Sequence, residues 1–229
     1  MIWDLPTRLF HWALALCVLV ACSSAHRLGS AALRVHFVSG YAVLILVAFR
    51  LLWGFAGPYG ARFAPFVRGP ALTWRYARSL LTPSVATARR EARTAGHNPL
   101  GVWSVLALLA ACLVQAGSGL FSRDDVASEG PLAALASETL VDRAGALHAS
   151  GEAVLYVLIG LHVAAIVFYR LVKKENLLKA MITGGKRSFA DPTERGAQAP
   201  CPTDATGAGA LVLLAIAAAL VGYLVHLTP

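Results

Sequence analysis

The chain has 229 residues, of which 57% are hydrophobic and only 14% charged, and its mean hydropathy is +0.63. A soluble domain carries roughly 25% charged residues to cover its surface, so these values exclude an ordinary water-soluble globule, a disordered chain and a secreted disulfide scaffold. The net charge of +8 does not indicate nucleic acid, because almost every Lys and Arg lies between apolar runs, where retention on the cytoplasmic side and contact with anionic lipid account for it.

Five apolar runs are long enough to cross a hydrocarbon core, which takes about 20 residues; they cover approximately 9–25, 35–56, 100–121, 144–169 and 208–227. The first, with Arg8 before it and LVAC ending at Cys22, has the outline of a lipoprotein leader. Asp4, Pro6 and two Trp residues crowd the place of a basic n-region, so the run reads as a retained helix. Residues 57–98 carry Pro58, Pro65, Pro70 and Pro83 among seven arginines and read as an amphipathic, lipid-contacting connection with no fold of its own. The connection from Ser122 to Arg143 is acidic, with Asp124, Asp125, Glu129, Glu138 and Asp142. Residues 184–207, rich in Gly, Pro and Thr, read as a flexible cytoplasmic linker. The last run has no interior polar residue and is expected to pack or anchor. The fold class is all-α, an integral membrane protein: a four-helix bundle over residues 1–183, the linker 184–207, and one additional C-terminal transmembrane helix over 208–227.

Charge orients the bundle. With the N-terminus inside, the cytoplasmic positions hold sixteen Lys and Arg, and the outer positions only Arg27, Arg34, Arg123 and Arg143. The C-terminus then lies on the periplasmic side. Cys17, Cys22, Cys112 and Cys201 show no metal-ligand spacing, and no CxxCH is present to attach a haem covalently.

The histidines carry the chemistry. An ionisable side chain inside a bilayer is costly and faces the bundle interior. His11, His36, His148 and His162 fall in helix interiors or first turns. His148 and His162 share the fourth helix 14 residues apart, about 21 Å along the axis and within about 40° of one face. Helix direction then sorts the four into an inner pair, His11 with His162, and an outer pair, His36 with His148. Two imidazoles facing each other across a bundle are the axial ligands of a six-coordinate haem. Gly40 and Gly151, each near one turn from a histidine, and Gly117 and Gly119 in the third helix would leave room for a macrocycle. The bland alternatives are small-residue packing for the glycines, and cross-helix hydrogen bonding or a metal pathway for the histidines. His26 could replace His36, and His97 could replace His11. Glu152, the one carboxylate inside an apolar run, could orient His148 or accept a proton. Arg34, Arg50 and Arg170 lie at helix ends, where they would snorkel to headgroups or meet a haem propionate.

WDLPTRLFHW opening the first helix, HFVSGYAVLILVAFRLLWGF in the second, GHNPLG before the third and HASGEAVLYVLIGLHVAAIVFYRLVKKENLL through the fourth resemble the bacterial cytochrome b561 and nickel-iron hydrogenase b-type cytochrome family. The resemblance runs from Met1 to about Thr183. It implies two non-covalent b haems, with His11 and His162 on the inner iron and His36 and His148 on the outer one. It also implies a relay of electrons across the bacterial cytoplasmic membrane between the quinone pool, ubiquinone or menaquinone, and a redox partner such as a c-type cytochrome or a hydrogenase. Quinol or quinone oxidoreduction is the enzymatic activity such a subunit would have, and superoxide-quinone oxidoreduction is the alternative within the family. A His-lined metal-ion transporter and a cofactor-free membrane anchor are the readings from other classes. The fifth helix and the arginine-rich inner loop depart from the family pattern and leave the partner open.

Overall fold

The structure, a computed structural model, describes residues 3–27, 29–58, 61–63, 99–123, 129–184 and 203–227. Six α-helices are described: α1 (Leu5–Ala25), α2 (Ser30–Ala56), α3 (Pro99–Gly119), α4 (Glu138–Leu171), α5 (Leu177–Thr183) and α6 (Thr203–Val225). All but α5 are long and apolar enough to cross a membrane. The chain is an all-helical, multi-pass membrane protein. Below, the near end of the bundle is the one where α1 begins, and the far end the one where α1 stops.

Several helices run past the apolar runs that announce them. α1 starts at Leu5 rather than near residue 9, because Asp4 caps it: Asp4 Oδ1 accepts from the Thr7 N–H at 3.0 Å, and Pro6 suits the first turn. The other carboxylate oxygen, Oδ2, accepts from Trp53 Nε1 at 2.8 Å, tying the start of α1 to the end of α2. α4 begins at Glu138, not near residue 144, with an acidic side chain in its first turn where the helix dipole favours one. Glu138 and Asp142 are therefore helical rather than loop residues. At 34 residues α4 is about 51 Å long, well beyond a hydrocarbon core of about 30 Å. α6 starts at Thr203, so the end of the expected linker is helical; residues 185–202 lie outside the described residues, as does the arginine-rich connection over 64–98.

α2 is the central helix, with α1, α3 and α6 packed on it, while α4 packs along α3. The core joins Phe10 of α1, Val43, Val47, Phe49 and Trp53 of α2, Leu109 and Cys112 of α3, and Ala210 and Ala217 of α6. Leu155 is the one residue α4 adds. A second cluster toward the far end holds Leu44, Leu120, Leu132 and Val221. In lipid this contact is held by close packing, not by escape from water, so small residues along α6 matter. α6 is thus an integral packing partner of α2.

Two near-end details fix the chain where it leaves the bundle. Arg50 does not snorkel: it is only 5% exposed, donates from Nη1 to the Ala61 carbonyl at 3.0 Å and lies 4.6 Å from the Phe63 ring centre. The Phe63 ring occupies the space a side chain at Gly54 would need. Short α5 is closed by Gly184 at φ 77°, the left-handed cap glycine adopts without strain. Arg8 Nη1 donates to the Ile182 carbonyl at 2.6 Å and pins α5 to the start of α1.

Candidate functional site

The four intramembrane histidines meet in two layers. His11 of α1 and His162 of α4 have ring centroids 6.4 Å apart with planes at 47°. His36 of α2 and His148 of α4 have centroids 5.9 Å apart with planes at 87°. All four are half-buried. Toward α1 and α2 the backbone of α4 stands off, and imidazole rings cross the gap. The layers are about 21 Å apart along α4.

Backbone carbonyls orient the far layer. His148 Nδ1 donates to the Gln115 carbonyl at 2.8 Å, and His36 Nδ1 donates to the Ala21 carbonyl at 3.0 Å. A carbonyl can only accept, so in the neutral ring the hydrogen sits on Nδ1 and the lone pair on Nε2, the tautomer that a metal-ligating imidazole needs. Gln115 returns a bond, its carboxamide Nε2 donating to the His148 carbonyl at 2.8 Å. In the near layer His11 Nδ1 is buried without a partner, and the His11 ring meets Trp12 edge-on at 5.1 Å.

The glycines divide by what stands beside them. A side chain added at Gly40 or Gly117 would meet nothing within 4 Å, so both have open space beside them. Gly119 makes room for the imidazole itself, since a Cβ there would lie 2.9 Å from His148 Cε1. At Gly151 the Gln115 carboxamide fills the space that a side chain would take. Gly151 therefore serves the α3–α4 contact.

The residues suit a porphyrin iron. Two bonds of about 2 Å, the length imidazole nitrogen makes to a transition metal, together with two ring radii of about 1 Å, span about 6 Å, close to both centroid separations. Among the described residues no group of three or more His, Cys, Asp or Glu is placed to hold a bare metal ion. Paired imidazoles need a metal whose other ligands come from elsewhere, and a porphyrin brings four.

The remaining candidates lie elsewhere. His26 pairs with Glu152, its Nε2 2.8 Å from Oε1, instead of entering the far layer. His97, Asp124 and Asp125 lie outside the described residues. Glu129 is bound by Arg123, Nη2 to Oε1 at 2.6 Å, and this carboxylate raises the proton affinity of the Arg123 guanidinium above its ordinary value. Neither the hydrogen bonding of Gln115, a polar residue within the third apolar run, nor that of Asp4 is visible in the sequence.

A helical membrane protein with stacked histidine pairs belongs to the class of membrane cytochromes. Residues 2–184 match the family model of prokaryotic cytochrome b561, and the chain belongs to that family. It is accordingly a membrane b-type cytochrome, and its chemistry is electron transfer. Comparison with curated proteins and with solved structures returns no significant match. The family match stops at Gly184, before α6.

Proposed function

We propose that the chain holds two b haems, each between two histidines, and relays electrons across the bacterial cytoplasmic membrane between quinone and a redox partner. The observation that carries this reading is the pairing of four histidines from three helices into two layers, at separations a metal-bridged imidazole pair requires. Haem, when bound, supplies a one-electron ferric–ferrous couple. His11 and His162 would hold one haem in the near layer and His36 and His148 the other in the far layer. The Ala21 and Gln115 carbonyls hold the far rings in the ligating tautomer, and Gly40 and Gly117 leave room beside them. The bias of Lys and Arg in the sequence, sixteen against four, supports a cytoplasmic N-terminus and so a cytoplasmic near end, with the two layers then at two depths of the membrane.

A pyridine haemochrome assay on detergent-purified protein, with haem counted per chain, tests this reading. Two b haems are expected in the wild type. His36→Ala and His162→Ala should each lose one, from the far and the near layer respectively. Folded protein without haem would overturn the proposal, and one haem would overturn the assignment of a layer.

A further inference from the structure

Glu152 is the only carboxylate within the five apolar runs, and it lies on α4 one turn after His148. Its Oε1 accepts from the Tyr156 hydroxyl at 2.6 Å and pairs with His26 Nε2 at 2.8 Å. The groups that face it are His26, just past α1, and Tyr156 and His148 of its own helix, with Cys22 of α1 beside Tyr156. His26 follows the last turn of α1 at the far end and is 65% exposed, whereas the Glu152 side chain is 25% exposed. A carboxylate at this depth is costly unless it is paired or used. Here it is paired with a largely exposed imidazole at the far end of the bundle, the side chain best suited to pass a proton near neutral pH.

We propose that Glu152, reached from water through His26, is a proton-loading site coupled to the redox state of the His36–His148 layer. The proposal rests on the reading of that layer as haem-binding. An electron delivered there by a one-electron donor lowers the charge of the layer by one, and in low-dielectric surroundings this raises the cost of an ionised carboxylate nearby far more than water would allow. Glu152 answers by binding one proton from the far side. One electron and one proton are taken up together and released together on reoxidation, and the only bond made or broken is a carboxyl O–H. Both hydrogen bonds land on Oε1, so a proton passed by His26 arrives at that oxygen.

The test is an optical redox titration of the purified, haem-loaded protein at a series of pH values, combined with reduced-minus-oxidised infrared spectra. In the wild type one haem should become harder to reduce as pH rises, its reduction equilibrium changing by up to about tenfold per pH unit, and a protonated-carboxyl band should appear on reduction. Glu152→Gln matches the shape without the titration; it should keep both haems while losing the band and the pH dependence. Equal pH dependence in wild type and E152Q, or no carboxyl band in the wild type, would overturn the proposal with the haem count intact. A wild type lacking the far-layer haem would overturn the parent reading and this one with it.

Discussion

At the scale of single residues, glycines separate packing from cofactor room. Gly119→Ala would put a methyl group 2.9 Å from His148 Cε1, so the imidazole must shift or α3 must part from α4. Overpacking of this kind costs about 1–3 kcal/mol. The variant should melt at a lower temperature and lose the far-layer haem, as read by calorimetry and haem count. Gly40→Ala should behave differently. Nothing lies within 4 Å of the added methyl, and replacing a helical glycine by alanine favours the helix by about 1 kcal/mol. The haem-free protein should therefore be as stable as the wild type or more so, while haem occupancy falls because the methyl enters the gap. Unchanged occupancy in Gly40→Ala would show that the macrocycle lies elsewhere.

At the scale of the elements, the fold rests on polar contacts that hydropathy does not reveal. Asp4 caps α1 with one oxygen and holds Trp53 of α2 with the other. Losing a capping carboxylate costs about 1 kcal/mol, and an unmet indole N–H adds roughly another 1–2 kcal/mol. Asp4→Ala should lower thermal stability accordingly, whereas Asp4→Asn, which keeps one oxygen and places an amide donor where the other stood, should recover the cap but not the indole bond, about half of the loss; full recovery, or a loss equal to that of alanine, would refute the double role. The apolar runs disclosed every transmembrane helix but not its ends, because hydropathy marks the stretch inside hydrocarbon while hydrogen bonding and caps decide where a helix stops. That is why α4 gained Glu138 and Asp142. The histidine layers were legible because helix period and direction fix depth and face without any knowledge of neighbours. The partners of Asp4, Gln115, Arg50 and His26 were not, since each lies on another segment or at a distance that only the packing determines. Gly151 shows the same limit: its neighbour proved to be a carboxamide from α3.

At the scale of the whole molecule, α6 stands apart from the redox core in sequence and close to it in space. The family match ends at Gly184, and α6 lies on α2 through Ala210, Ala217 and Val221, whereas the histidine layers lie between α4 and the pair α1 and α2. If α6 only buttresses α2, a chain ending at Gly184 should keep two haems with unchanged spectra and lose thermal stability; loss of either haem would place α6 inside the cofactor-binding unit. The same helix tests orientation. α6 begins at the near end with the basic excess and finishes at the far end, so an alkaline phosphatase domain fused after Pro229 should be active in the periplasm and one fused after Gly184 inactive. The reverse pattern would invert the bundle, move Glu152 and His26 to the cytoplasmic face, and so change the compartment from which the far layer draws its proton.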